Sequence, residues 1–412
     1  MLVTFVLIYL AVSIGIGLYA SKFVSSSKDY LVAGRSLPLY VNVATVFATW
    51  FGAETVLSVS ATFAKDGLGG IPADPFGATF CLVFVALFFA KAFYRFDLLT
   101  IGDFYKKRYG RGVEVLTSLA VTLSYLGWTS AQLTALGIVF NSLSGGAISL
   151  STGILMGAAV VLVYTTYGGM WSVALTDLFQ SVVIIIGLFV IAWMVADKVG
   201  GVGKVVAHAS EAGKFQFWPT GGSKEWLAFV AAWMTVAIGS IPQQDVFQRV
   251  TSAKDEQTAV RGSLIGGGLY FCVAFVPIFL AYAALMLDPE VSGKLINEGG
   301  REVQLILPNF VLNHMPVFAQ VMFFGALLSA ILSTASGALL APTALFTENV
   351  IRPLFGQQMS DKRFLLLLRI TLVGFTAGVL MFALNNTSTM YEMVQNAYKV
   401  TLVGAFVPLA AG

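Results

Sequence analysis

Long apolar runs separated by short polar stretches make up most of this chain. A helix needs about 20 apolar residues to cross the ~30 Å hydrocarbon layer of a membrane. Eleven runs approach or exceed that length, and each predicts a membrane-spanning helix. The predicted helices cover residues 2–21, 39–64, 75–95, 113–140, 148–167, 171–196, 226–248, 262–287, 315–348, 363–384 and 389–412.

Two of the predicted helices are interrupted near their middle. Trp50–Glu54 ("WFGAE") carries Gly52 beside an acidic group, and Ile238–Asp245 ("IGSIPQQD") carries Gly239 and Pro242. Glycine and proline disfavour a straight helix, and proline also removes a backbone donor. A membrane tolerates the freed backbone groups only where they line a cavity or bind something. The paired interruptions therefore predict a binding site of the kind that transporters build from broken helices.

The order of the helices predicts an internal symmetry. When the extra N-terminal helix within residues 1–21 is set aside, ten helices remain, and each group of five begins with an interrupted one. Because five is an odd number, the second group must insert with the opposite topology, which is an inverted repeat. We expect one transmembrane domain over 1–412, with repeats at 39–196 and 226–412.

The composition agrees with a polytopic membrane protein and narrows its chemistry. Hydrophobic residues make up 57% of the 412 residues, charged residues make up 11%, and the mean hydropathy is +0.83. Cys81 and Cys272 lie in apolar runs, and His208 and His314 lie in or beside polar connections, so neither a zinc site nor a disulfide framework is predicted. The sequence shows no catalytic nucleophile paired with a general base, which disfavours an enzyme. We expect no organic cofactor, and a net charge of +3 does not indicate nucleic acid.

The positive charges predict the orientation. Sixteen lysines and arginines fall in the connections near 22–35, 91–111, 249–261 and 352–369, against seven on the other side. By the positive-inside rule the first set is cytoplasmic, so the N-terminus is outside and the C-terminus inside a cell membrane. The first helix has neither a basic n-region nor a small-residue cleavage site, so we expect a retained helix and not a signal peptide. The last run reaches Gly412, and we expect a longer protein to continue past it.

Four stretches carry a resemblance to a known family. They are "ATWFGAETVLSVSATFAKDGL" at 48–68, "YTTYGGMWSVALTDLFQ" at 164–180, "GSIPQQDVFQRVTSAK" at 239–254 and "GALLSAILSTASGALLAPTALFTENV" at 325–350. The chain resembles the sodium/solute symporters, in the branch near the high-affinity choline and sodium/glucose cotransporters. The resemblance implies an all-α LeuT-type fold, in which five helices are followed by an inverted five and one extra helix precedes them. It also implies sodium-coupled import of a small solute by alternating access.

The resemblance implies a sodium site between the first broken helix and the helix at 315–348. Its ligands would be the carbonyls of Ala48, Phe51 and Ala330 and the hydroxyls of Ser333 and Thr334. "AILST" does place two adjacent hydroxyls and an earlier carbonyl on one apolar helix, and oxygen ligands suit a small hard cation. The alternative is that the two hydroxyls bond back to the preceding turn.

Two charged residues have competing interpretations. Asp177 matches an aspartate that the family places near the sodium path, and a carboxylate within an apolar helix is a functional candidate. Its alternative is an acid stabilised by the dipole at a helix N-terminus. Arg249 is most simply a topology anchor at the cytoplasmic boundary, and secondarily a gate.

The resemblance also implies a solute site at the breaks, formed by Trp50, Glu54, Thr55, Trp128, Gln132 and Gln243. Trp50 and Trp128 resemble tryptophans of the cage that choline transporters close around a cation. The choline branch has a further tryptophan where Gln243 stands, so half of that cage remains. Glu54 matches a glutamate of the sugar branch, whose neighbouring glutamine is replaced by Thr55. An amine, betaine or amino acid is favoured over choline or a sugar. The alternative for the tryptophans is ordinary packing.

Three other functions remain open alternatives to a sodium symporter. The chain could be the input module of a signalling protein, since its predicted C-terminus is cytoplasmic. A membrane-embedded enzyme is disfavoured. Proton coupling is less favoured than sodium coupling, because Ser333 and Thr334 do not titrate. The expected partners are a small solute and the lipid bilayer, and the sequence does not indicate an oligomeric state.

Overall fold

A computed structural model describes residues 2–354 and 359–412, and within these ranges the regular structure is helical. The helices are α1 (Leu2–Ala20), α2 (Ser27–Val32), α3 (Leu39–Trp50), α4 (Glu54–Asp66), α5 (Pro72–Arg95), α6 (Ile101–Tyr109), α7 (Arg111–Leu143), α8 (Leu150–Val199), α9 (Val202–Glu211), α10 (Ser223–Ala237), α11 (Gln244–Thr251), α12 (Glu256–Leu287), α13 (Pro289–Glu298), α14 (Ile306–His314), α15 (Val317–Leu354), α16 (Asp361–Asn385) and α17 (Met390–Thr401, continued by Leu402–Phe406 and Val407–Ala411).

Both predicted interruptions are confirmed. The axes of α3 and α4 differ by 53°, and the chain between them is broken at residues 51–53. The second predicted break lies between α10 and α11, where residues 238–243 leave the helix and Pro242 precedes the new helical start. Each break therefore divides one predicted span into two half-helices whose inner ends lie inside the protein.

The predicted boundary between the helices at 148–167 and 171–196 is also present. These two segments form the 50-residue α8, and Gly169 interrupts it with φ 50° and ψ −138°. A residue with a side chain cannot adopt that backbone conformation without strain. A Cβ atom at Gly169 would also collide with the carbonyl oxygen of Tyr30 on α2. The glycine thus permits both the bend in α8 and the close packing of α2 against it.

Fewer helices pass a test of length and hydropathy than the eleven that were predicted. Among the described residues six helices pass, and a seventh span comes from the α3–α4 pair. The predicted spans 113–140, 226–248 and 389–412 do not pass. Helix α10 has only 15 residues because the break at 238–243 shortens its span, whereas α7 and α17 are rich in polar residues, most of which are buried in α7. In α7, hydropathy misses the span because the polar side chains contact protein.

The centre of the protein is built around α15. Of its most apolar segment, 72% of the residues are buried, against 28% for α1 at the periphery. Helices α7 and α8 pack along α15, while α3 contacts α8, α12 and α15. Helix α17 packs against α7 near the first break. This arrangement brings the unwound segment of the first broken helix against α7, α12, α15 and α17.

A substitution at Gly169 tests the bend in α8. Gly169→Ala should lower the free energy of unfolding by about 1–3 kcal/mol, because it forces a side chain into a left-handed conformation and against Tyr30. Gly374→Ala is the matched control, since no atom lies within 4 Å of a Cβ there. The measurement is thermal unfolding in detergent. Equal melting temperatures for the two variants would contradict this account of the bend.

Candidate functional site

Oxygen atoms from α3 and α15 converge just before the first break. The hydroxyl of Ser333 donates to the carbonyl of Ala48 at 2.7 Å and lies 3.1 Å from the carbonyl of Ala330. The hydroxyl of Thr334 lies 3.2 Å from the carbonyl of Ala48 and 3.1 Å from that of Thr49. All five residues are fully buried. We call these five residues the oxygen cluster.

The oxygen cluster bears on the two interpretations of the hydroxyls. Ser333 does reach a carbonyl of its own preceding turn, but both acceptors of Thr334 lie on α3. The hydroxyls therefore join two helices. Phe51 is fully buried at the break itself, but neither the Ser333 nor the Thr334 hydroxyl forms a hydrogen bond to its carbonyl. Neutral hydroxyl and carbonyl oxygens are the donors that a small hard cation prefers, so these residues fit a sodium ion.

Asp177 lies inside the protein on α8. Thr45, one turn before Thr49 on α3, donates a hydrogen bond to its Oδ2 atom. Its Oδ1 atom has no hydrogen-bond partner among the described residues. Asp177 is fully buried and lies two turns beyond Gly169, so the alternative of an acid at a helix N-terminus is not supported. A buried carboxylate with a free oxygen lies next to the helix turns that form the oxygen cluster.

Arg249 is buried, which corrects its interpretation as a topology anchor at the membrane boundary. Only 3% of the residue is exposed, and its Nε atom donates to the hydroxyl of Thr49 at 3.0 Å. Its guanidinium lies against Gly337 of α15, where a Cβ atom would collide with it. The same arginine thus contacts the helices that form the oxygen cluster. Lysine and arginine counts alone cannot separate such an inward-facing arginine from an anchor.

The second group of site residues surrounds the carboxylate of Glu54, at the start of α4. Trp128 Nε1 donates to Oε1 of this carboxylate at 3.2 Å, and Gln132 Nε2 donates to Oε2 at 2.6 Å. The other end of the Gln132 amide accepts the backbone N–H of Ala53 at 3.0 Å. One glutamine side chain therefore serves both the broken backbone and the buried acid.

A second carboxylate, that of Asp74 on α5, lies close by and was missed in the sequence. Thr55 donates to its Oδ2 atom at 3.0 Å, Tyr270 donates to Oδ1, and the Thr55 and Tyr270 hydroxyls are 3.1 Å apart. Asp74 comes one residue before the apolar run that begins at Pro75, so the pattern placed it in a connection. In the structure only 8% of Asp74 is exposed, so this residue lies inside the protein.

Both carboxylates open into one narrow cavity with aromatic walls. The rings of Trp50 and Tyr398 lie 6.4 Å apart at 14°, and those of Trp128 and Tyr398 lie 6.0 Å apart. The cavity volume is about 20 Å³, room for about one water molecule. A solute can enter only if the walls move. The lining residues are Trp50, Glu54, Asp74, Ala78, Trp128, Val236, Tyr270, Tyr391, Val394, Gln395 and Tyr398.

The six predicted solute residues are not equally placed. Trp50, Glu54 and Trp128 line the cavity, while Thr55 and Gln132 hold its carboxylates. Gln243 does not line it. The Gln243 amide reaches Ser124 at 3.1 Å and Thr401 at 3.4 Å, and so it joins the second break to α7 and α17. Tyr270, Tyr391 and Tyr398 were not predicted, since a tyrosine in an apolar run carries no distinguishing signal.

Comparison with known proteins identifies the family. Residues 30–410 match the model of the Sodium:solute symporter family. The chain belongs to this family. It is 26% identical to High-affinity choline transporter 1 of Drosophila melanogaster, over 97% of this chain and 64% of that protein. It is 27% identical to the human High affinity choline transporter 1, over 89% of this chain and 63% of that protein. The chain thus spans less than two thirds of the length of these relatives.

Other members of the wider group differ in what they carry. The Sodium/glucose cotransporter of Vibrio parahaemolyticus is 25% identical to this chain, over 90% of this chain and 71% of that protein. These relatives are transporters, which confirms that this symporter-family chain is a multi-pass membrane protein and not an enzyme. Because the relatives named here carry different solutes, they do not fix the solute class.

Solved structures confirm the LeuT-type fold. A Na⁺-coupled sialic acid symporter, solved in a substrate-bound outward-open state, superposes with a TM-score of 0.83 at 20% identity, covering 98% of this chain and 87% of the other. MhsT in complex with L-phenylalanine superposes with a TM-score of 0.59 at 15% identity, covering 88% of this chain and 86% of the other. Similarity at this level of identity establishes the shared helix arrangement.

The dual role of Gln132 yields a stability prediction. Gln132→Leu leaves the Ala53 N–H and one oxygen of Glu54 without their partners, so we expect a loss of about 2 kcal/mol or more in the free energy of unfolding. Gln257→Leu is the control, because Gln257 is exposed at the start of α12 and should change stability by about 0.5 kcal/mol or less. Unfolding in mixed detergent micelles measures both. Equal stability of the two variants would remove this role from Gln132.

Proposed function

We propose that this chain is a sodium-coupled symporter that imports a small organic solute, polar or cationic and of the amine, betaine or amino acid type, by alternating access. The observation that supports this most strongly is the position of the first break. Ala48, just before the break, belongs to the oxygen cluster, and Glu54, just after it, lines the aromatic-walled cavity, which we call the solute cavity. An ion and a solute held at these two places share one unwound segment.

The sodium ion would be held by the carbonyls of Ala48, Phe51 and Ala330 and the hydroxyls of Ser333 and Thr334. Ala48 lies on α3, and Phe51 lies directly after its last residue; the other three groups lie on α15. A cation bound to all of them would therefore tie the two helices together. We expect the tie to stabilise the outward-open state and thereby to raise the affinity for solute. Asp177, with its free oxygen, would attract the ion along the path towards the cytoplasm.

The energy for import would come from the sodium gradient. A membrane potential contributes about 2.3 kcal/mol per charge per 100 mV, in addition to the concentration difference. For this direction of transport the chain must lie in the cell membrane with its N-terminus outside and Arg249 and Asp177 towards the cytoplasm, as the positive-inside rule predicts. After release of both ligands, the return of the empty carrier completes the cycle.

The chemistry of the cavity favours a cationic solute. Two carboxylates line it, and none of its described lining residues is lysine, arginine or histidine. The faces of Trp50, Trp128 and Tyr398 can contact a cation or its methylene groups. A betaine or an amino acid would bring its own carboxylate, for which the cavity offers no basic partner. An amine is therefore the best supported of the three solute types.

The sodium ligands can be tested without knowing the solute. In purified protein, NaCl should raise the melting temperature of the wild type more than KCl does, because a ligand of the folded state stabilises it. The Ser333→Ala, Thr334→Ala double variant should need a sodium concentration about tenfold higher or more for the same rise, a loss of about 1.4 kcal/mol. Once a solute is identified, the same double variant in proteoliposomes should no longer take up that solute in a sodium-dependent manner.

Thr371→Ala is the matched control for the double variant. Its hydroxyl bonds only to the carbonyl of Leu367, one turn earlier on the same helix, at 2.9 Å. This variant should keep the full sodium effect. If sodium stabilises the double variant as much as it stabilises the wild type, the oxygen cluster is not the ion site.

A further inference from the structure

The two carboxylates of the solute cavity, Glu54 and Asp74, have no basic partner among the residues that the structure describes. Glu54 and Asp74 come from different helices, α4 and α5, and both line the same small space. The buried cation of this region, Arg249, bonds to Thr49 on α3 and does not line the cavity. Two like charges inside a membrane are unfavourable unless each is neutralised by a positive charge or by a proton. Two cationic groups on one solute would neutralise both carboxylates, and none of the described lining side chains supplies such a group.

The carboxylates are nevertheless held in place as acceptors. Each of their four oxygens receives one hydrogen bond from a neutral donor, and these donors are Trp128 and Gln132 for Glu54, and Thr55 and Tyr270 for Asp74. A neutral donor orients an anion without cancelling its charge. Each oxygen retains a second lone pair, so both groups can still accept from an incoming N–H donor. The arrangement is that of two oriented anionic acceptors.

From this geometry we infer that the solute is a small organic dication, a short linear diamine with one ammonium group for Glu54 and one for Asp74. The inference rests on the proposed function and names its solute class. Primary ammonium groups have N–H donors that form strong bonds to carboxylates, which a quaternary ammonium lacks. The rings of Trp50, Trp128 and Tyr398 would cover the methylene chain between the two ends.

A matched ligand series tests the inference on the unaltered protein. The probes are putrescine, which has four methylene groups and two ammonium ends, butylamine, which has the same carbon count and one ammonium, choline and glycine betaine. Calorimetric titrations of purified protein are made in sodium buffer and in potassium buffer. We expect putrescine to bind about tenfold or more tightly than butylamine in sodium, which corresponds to about 1.4 kcal/mol. Choline and glycine betaine should bind more weakly than putrescine.

Two variants assign the two charges. In Glu54→Gln and in Asp74→Asn, the ratio of the putrescine affinity to the butylamine affinity should fall to about one, because only one carboxylate remains for two ammonium groups. Glu211→Gln and Asp197→Asn are the controls, since both acids are exposed on α9 and α8, and they should keep the wild-type ratio. Melting curves establish that each variant is folded.

The outcomes separate the two proposals. If butylamine, choline or glycine betaine binds in a sodium-dependent manner and as tightly as putrescine, the dication is wrong while sodium symport stands. Two sodium ions bound per molecule, with no preference for putrescine, would show that an ion serves the second carboxylate, and this also overturns the inference. If no probe binds, the dication is wrong; if, in addition, NaCl raises the melting temperature no more than KCl does, sodium symport fails as well.

Discussion

The whole site depends on one constraint: a helix that unwinds inside a membrane must find new partners for its backbone groups. At the first break, the carbonyl of Ala48 meets the hydroxyls of Ser333 and Thr334, and the N–H of Ala53 meets the amide of Gln132. These partners come from α15 and α7. The break therefore determines which helices surround it, and the groups that satisfy its backbone are the same groups that form the candidate ion and solute sites.

Buried charge imposes the second constraint. Four acids lie in the central part of the described structure, and each has an oriented hydrogen-bond donor. Glu54 and Asp74 face the cavity, Asp177 is held by Thr45, and Asp245 is held by Tyr125. The one buried arginine of this region, Arg249, lies beneath the first break and contacts Thr49. The proposed sodium ion and amine would both be attracted to this excess of acidic groups.

The sequence predicted the parts of this arrangement that local chemistry dictates. Gly52, Gly239 and Pro242 marked both breaks, and the adjacent hydroxyls of "AILST" marked the turn of α15 that meets α3. The family and the LeuT-type fold were predicted and are confirmed, while the sensor alternative gains no support from relatives that are transporters. What the sequence could not show depends on tertiary packing. Asp74 precedes its apolar run, Arg249 has the composition of an anchor, and Gln243 lies at the second break but outside the cavity.

The central claim is that ion and solute are coupled through the segment at residues 51–53, and reciprocal linkage tests it most directly. The affinity for putrescine, or for whichever amine binds best, is measured at several sodium concentrations, and the sodium affinity is measured with and without that amine. The account predicts that each ligand raises the affinity for the other by the same factor, as a shared conformational equilibrium requires. A solute affinity that does not change between sodium and potassium buffers would contradict it.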